Sequence, residues 1–156
     1  VKHRAEPRVT RVRYVGSESA QASPGLDAAL DQADLIVFCP SNPFLSLGPI
    51  LAVPGVRAKL ESASVPRVAV SPIVGGAAVR GPAAKIMSEL GHEVSSVGVA
   101  RQYQGLCDVL FIDNQDAHLG TAIEELGVKP VVSSIIMNSD ADKVSLAQSV
   151  VATGAS

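Results

Sequence analysis

Asp34-Leu35-Ile36-Val37-Phe38-Cys39-Pro40 is a continuous apolar run, opened by a carboxylate and closed by a proline. A strand with one wet face alternates apolar and polar side chains. This one does not, so it predicts a strand buried on both faces, as in a parallel sheet covered by helices. The sign recurs outward from it, at residues 67–70, 109–112 and 130–136. A short strand is also expected over residues 11–15. Helices are predicted between them. Leu26, Ala29, Leu30 and Ala33 share one face of a helix over residues 25–33, after Ser23-Pro24. Others are expected over residues 45–51, from Pro54 through residue 60, and over 82–90, where Gly91 stops the helix. Ser95 caps a helix into Tyr103, and Asp113 or Asn114 caps one through residue 126. A last helix covers residues 139–151, before a frayed tail at 153–156. Residues 71–81 read as a loop.

Strand–helix alternation at this spacing implies βαβ units. The fold expected is α/β and Rossmann-like, a mostly parallel sheet flanked by helices. Right-handed crossovers set the loops that follow the strands along one edge, where ligands bind. That edge gathers residues 40–49, residues 71–82 and the turn near Asp113. With 156 residues the chain is sized for one domain. A doubly wound nucleotide-binding domain carries a Gly-rich first βα turn, and none is present here. Residues 1–156 therefore read as a partial domain, the later part of a larger one.

Composition narrows the function. The chain is 47% hydrophobic, which supports a core, and only 3% aromatic, which makes that core aliphatic. A net charge of -2 argues against a nucleic-acid surface. The basic cluster of Lys2, His3, Arg4, Arg8, Arg11 and Arg13 reads as a solvated terminal arm. Cys39 and Cys107 lie in apolar stretches and read as buried thiols of a reducing compartment. No secretory leader and no membrane-spanning apolar run is visible, so the cytoplasm is the expected location. His3, His92 and His118 have no metal-like spacing. No Gly-x-Ser-x-Gly elbow supports a serine triad.

Three clusters carry candidate chemistry. The first is Ser41-Asn42-Pro43 with Ser46 and Gly48. Hydroxyl and amide groups there can bond phosphate or sugar oxygens, and a following helix start offers N–H donors. Read alone, Asn-Pro is also an ordinary capping turn. The second runs from Ser71 through Gly75-Gly76 to Arg80-Gly81. Paired glycines admit a ligand to the backbone, and Arg80 or Lys85 can neutralise phosphate. Its spacing fits neither a Walker loop nor a dinucleotide fingerprint. The third is Arg101 with Tyr103, a cation and a phenol for phosphate or a flat ring. Asp108 and Asp113 bracket a strand, and capping explains Asp113 equally well. No catalytic residue and no metal ligand is assigned.

Several of these stretches, taken in order, resemble one family. Pro40-Ser41-Asn42-Pro43, then Ser46-Leu47-Gly48-Pro49-Ile50-Leu51-Ala52-Val53-Pro54-Gly55-Val56-Arg57, is similar to the signature of the 2-phospho-L-lactate transferases (CofD-like). Val70-Ser71-Pro72-Ile73-Val74-Gly75-Gly76, Gly81-Pro82-Ala83-Ala84-Lys85 and Gly98-Val99-Ala100-Arg101 with Tyr103 match it too. The resemblance spans residues 5–147. It implies a transferase of coenzyme F-420 biosynthesis. A phospholactyl or phosphoenolpyruvyl group would pass from a guanosine-diphosphate-activated donor to the deazaflavin Fo, with GMP released. It also implies Mg²⁺ and a homodimer. The family's Gly-rich loop and metal-binding aspartates lie upstream of the matched region, so residues 1–156 alone are expected to be inactive or weakly active. The visible motifs read neither of the carbons that distinguish the lactyl from the enolpyruvyl donor, so both stand. The alternative reading is a non-catalytic α/β module binding guanine nucleotide or deazaflavin.

Overall fold

A computed structural model describes residues 6–154. Four strands form one parallel sheet: β1 (Ile36–Phe38), β2 (Arg67–Val70), β5 (Val109–Asp113) and β6 (Lys129–Ser133), in the order β1-β2-β5-β6. A two-stranded antiparallel hairpin, β3 (Ile73–Val74) and β4 (Ala77–Ala78), stands apart. The helices are α1 (Pro24–Asp31), α2 (Gly48–Leu51), α3 (Val56–Glu61), α4 (Ala83–Glu89), α5 (Ser96–Gln102), α6 (Gly120–Glu124) and α7 (Asp140–Gly154). The expected α/β architecture is therefore present, and it is mostly parallel.

The pleat divides the sheet side chains between two apolar layers. Ala69, Leu110 and Ile112 join one layer with Leu60, Met87, Val99 and Ile123 from α3, α4, α5 and α6. Val68, Val70 and Phe111 face the other, where Leu146 and Val150 of α7 cover them. Val68, Phe111, Leu110 and Ile112 are fully buried, as central strands of a doubly covered sheet require. At the edge remote from the strand C-termini, Arg67 ties β2 to the chain that enters β5 and to the end of α3. Its Nη2 meets Asp108 Oδ1 at 2.6 Å, and its Nη1 donates to the carbonyls of Gly105 at 2.8 Å and Leu60 at 3.1 Å. The Arg67 guanidinium holds the Asp108 carboxyl below the usual carboxylate range.

Several expectations need correction. Residues 11–15 form no strand. They cross the surface as irregular chain, and the amide of Val9 just before them is held by the Glu89 carboxylate at 2.7 Å rather than by a ladder. β1 is not buried on both faces: it is an edge strand, and Val37 is 41% exposed. Cys39 is exposed, whereas Cys107 is buried and its thiol is pushed up to about 12 by desolvation. Residues 71–81 contain the hairpin. Gly75 and Gly76 form its two-residue turn with φ of 56° and 75°, the pair of positive angles that a type I′ turn demands. The segment after Asp113 starts as a 3-10 helix, Asn114–Leu119, and α6 ends at Glu124. β6 stops at Ser133 and frees residues 134–139 as a loop. α7 runs on to Gly154, which packs under Leu35, so Thr153 and Gly154 are not a frayed tail. The expectations for Lys2, His3, Arg4 and residues 155–156 lie outside the described residues.

Candidate functional site

Because the sheet is parallel, the C-terminal ends of β1, β2, β5 and β6 share one edge. Asn42 sits in the loop after β1. Its backbone is extended, and Pro43 follows at the first position of a π-helical turn, Pro43–Leu47. Proline fits there because that turn needs no N–H from its first residue. Asn42 Oδ1 accepts the N–H groups of Phe44 at 2.9 Å and Leu45 at 3.1 Å. Its Nδ2 is buried and has no hydrogen-bond partner among the described residues. Leaving such a donor unpaired costs about 1–3 kcal/mol, so an acceptor is missing at this point.

Asn42 lines a cavity of about 270 Å³ with Ser71, Arg80, Asn138 and Lys143. Three separate chain stretches, following β1, β2 and β6, thus meet around one space. Arg80 is exposed and makes no ion pair or hydrogen bond among the described residues. Lys143 Nζ contacts Asp140 at 2.8 Å, but both are well exposed, so that pair holds weakly. Two cations lining one space suit the cavity to an anion.

The remaining candidates are placed as follows. Ser71 is 1% exposed, and its hydroxyl is engaged internally. It donates to the Ile73 carbonyl at 2.8 Å and accepts the Ile73 N–H at 3.1 Å. The N–H of Gly75 points at Asp116, not at open space. Gly81, with φ 71°, turns the chain towards α4. Ser41 and Ser46 lie on the other side of the loop. They line a second cavity of about 210 Å³ with Val37, Cys39 and Tyr103. Gly48 admits the Tyr14 hydroxyl, which donates to the Phe44 carbonyl at 2.6 Å; a Cβ at Gly48 would lie 1.9 Å from that oxygen. Arg101 pairs with Glu93, and neither residue lines these two cavities. Tyr103 diverges from Arg101: it is 1% exposed, its hydroxyl has no hydrogen-bond partner among the described residues, and its ring lies 6.0 Å from that of Phe38. Burial pushes the Tyr103 phenol far above its ordinary range.

Sequence reasoning missed Lys143, Asn138 and Asp116. The loop after β6 obeys the same edge rule as the others, but extending that strand to residue 136 hid it. Asp113 is 6% exposed; it accepts the N–H of Gln115 at 3.1 Å and that of Ile135 at 3.3 Å. Asp116 is also buried and hydrogen-bonded. Both carboxylates at this edge are therefore committed. Among the described residues no group of three or more His, Cys, Asp or Glu is placed to hold a metal. These residues do not by themselves fit a magnesium ion, which takes carboxylates plus water. No described helix is long and apolar enough to cross a membrane.

An open parallel sheet with a cationic cavity beyond its strand C-termini defines the chain as an α/β protein of Rossmann-like architecture. The chain belongs to the 2-phospho-L-lactate transferase CofD family, whose sequence model matches residues 1–150. It is 45% identical over 130 residues to the phosphoenolpyruvate transferase of Streptomyces griseus, covering 83% of this chain and 41% of that one. It is 41% identical over 150 residues to the 2-phospho-L-lactate transferase of Methanosarcina barkeri, covering 96% and 48%. The chain thus spans less than half the length of these curated relatives. In structure it is similar to a Bacillus halodurans protein of the UPF0052 family. Two crystal structures of that protein give TM-scores of 0.61 and 0.53 at 13% and 18% identity, covering 84% and 81% of this chain and 47% and 46% of theirs. At that identity the likeness concerns the fold alone.

Proposed function

We propose that this chain supplies the later part of a transferase that moves a phospholactyl or phosphoenolpyruvyl group from a guanosine-diphosphate-activated donor to the deazaflavin Fo, in coenzyme F-420 biosynthesis. The observation that carries the reading is the cavity where Asn42, Arg80 and Lys143 converge, in a chain of this family. The terminal hydroxyl of Fo attacks the phosphorus that bears the three-carbon acid. A new P–O bond forms, the P–O bond to GMP breaks with its electron pair, and the hydroxyl proton is released. Such a step needs alignment and charge neutralisation more than a protein nucleophile. Arg80 and Lys143 neutralise pyrophosphate oxygens, and the Asn42 Nδ2 donates to one of them. Ser41, Ser46, Ser71, Gly75, Gly76, Gly81 and Arg101 remain proposed substrate contacts from the family resemblance. Magnesium and a homodimer enter through that resemblance alone, a cytoplasmic location stays the expectation from the sequence, and no step here is routed through the metal.

A second reading, a guanine-nucleotide or deazaflavin-binding module without catalysis, is favoured for residues 1–156 by themselves because the carboxylates among the described residues are not grouped as a metal ligand set. Calorimetry with GDP and with Fo, run beside a turnover assay, separates the two. The expected result for residues 1–156 is nucleotide binding with no measurable turnover. Full turnover from these residues would refute the partial-site reading, and failure to bind either ligand would remove both.

Asn42→Ala tests the loop. Losing the cap costs about 1 kcal/mol, while removing the orphaned amine relieves a penalty of about 1–3 kcal/mol. The thermal midpoint is therefore expected to move by only a few degrees. GDP affinity should fall about tenfold or more, the worth of one hydrogen bond to a charged group. A large loss of stability with unchanged affinity would make the loop purely structural.

A further inference from the structure

The carboxylate of Asp116 is 2% exposed and has no cation beside it among its recorded contacts. Burying a charge is costly unless donors surround it. Here every donor comes from a different element. The N–H of Gly75, in the β3–β4 turn, reaches Oδ1 at 3.1 Å and Oδ2 at 3.2 Å. Ser96, at the start of α5, donates its hydroxyl to Oδ2 at 3.1 Å. Ser96 Oγ in turn lies 3.2 Å from Ser71 Oγ, at the end of β2. Ser71 Oγ closes the network by accepting the Ile73 N–H and donating to the Ile73 carbonyl.

The hairpin gripped in this way has no other sheet to join. It leads directly into Val79 and Arg80. The Val79 N–H is held by the Pro72 carbonyl at 3.1 Å, so the returning strand stays beside the departing one as far as residue 79. Arg80, one residue on, is the unpartnered cation of the cavity. Among the described residues, Asp116 is the only one whose side chain hydrogen-bonds the turn itself, by accepting the Gly75 N–H. We infer that Asp116 is a positioning residue: its buried carboxylate clamps the Gly75-Gly76 turn and so aims Arg80 at the anion cavity. This deepens the proposed function, and it rests on that reading of the cavity.

The test is a double-mutant cycle on the full chain, read by titration with inorganic pyrophosphate, with the thermal midpoint recorded for every variant. Asp116→Asn keeps the shape and one acceptor but lacks the second acceptor oxygen. It is expected to weaken pyrophosphate binding about tenfold in the otherwise native chain and by less than about twofold in the Arg80→Ala background. That loss of dependence is what a general weakening of the fold would not produce. If Asp116→Asn does not fold, Ser96→Ala, which removes one donor to the carboxylate, takes its place with the same pattern expected at smaller size. Equal weakening in both backgrounds, or an unchanged affinity with a lowered midpoint, overturns the inference. If Arg80→Ala alone binds pyrophosphate as the native chain does, the cavity reading itself has failed, and that outcome is distinct from the other two.

Discussion

Gly98→Ala is expected to destabilise the chain by at least about 3 kcal/mol. A Cβ at Gly98 would lie 1.9 Å from the Glu93 carbonyl oxygen, 2.9 Å from its carbon and 3.1 Å from Met87 Cε. The first two are backbone atoms and cannot rotate away. The chain just before α5 is held from both sides: the His92 N–H bonds the Met87 carbonyl at 2.8 Å, and Ser95 Oγ accepts the Gly98 N–H at 3.0 Å. Relief therefore requires α5 to lift off the layer that contains Val97, Val99 and Ala100, each at most 3% exposed. For a chain of this size the thermal midpoint should drop by roughly 10 °C. Gly25→Ala provides the control. Nothing lies within 4 Å of a Cβ there, and an alanine near the start of α1 should be neutral or stabilising by up to about 1 kcal/mol. A midpoint for Gly98→Ala within about 2 °C of the native chain would show that the approach of α5 to residue 93 is not as close as described.

Arg80→Ala should leave stability within about 0.5 kcal/mol, because the side chain is exposed and makes no hydrogen bond or ion pair among the described residues. Its effect belongs to binding. A charge-assisted bond to a phosphate oxygen is worth about 1.5–3 kcal/mol, so GDP affinity should fall between about tenfold and a hundredfold. The salt dependence of binding should flatten as well, since one exposed cation no longer contributes to attraction. Arg80→Lys should recover part of the affinity, keeping charge but not the bidentate fork. Affinity unchanged in Arg80→Ala would take this residue out of the site and leave Lys143 as the cavity's only lining cation.

The fold was legible where one force dominates. β2 and β5 are central, doubly covered strands, and uninterrupted apolar residues mark them because both faces must leave water. Ser95 and Gly91 marked helix boundaries correctly because capping and chain reversal are local chemistry. The errors came where tertiary context decides. Residues 34–39 look like a central strand, yet β1 lies at an edge, because burial of Ile36 and Phe38 by one layer suffices while Val37 stays 41% exposed. Residues 11–15 have strand composition but no neighbouring strand to pair with. The paired glycines were noticed for closeness to a ligand; their positive φ angles answer to a hairpin turn first. Of the candidate site residues, Asn42, Ser71 and Arg80 line one cavity, as loops at a shared sheet edge should. Arg101 does not join them, since Glu93 is within reach and offers it an opposite charge. Asp116 carries no sequence sign: a carboxylate inside a short polar stretch looks solvated until the hairpin folds over it.

Strands β1, β2, β5 and β6 stand across the sheet in the same sequence as they occur along the chain. Among these four strands, a ribosome therefore delivers each later one beside an edge that already exists. The binding cavity obeys a different timetable. Asn42, Ser71 and Arg80 precede all four residues that line it beyond β6, among them Asn138 in the loop and Lys143 in α7. These four strands can thus pair before the cavity is fully lined, so an anion bound there fastens a sheet that already stands.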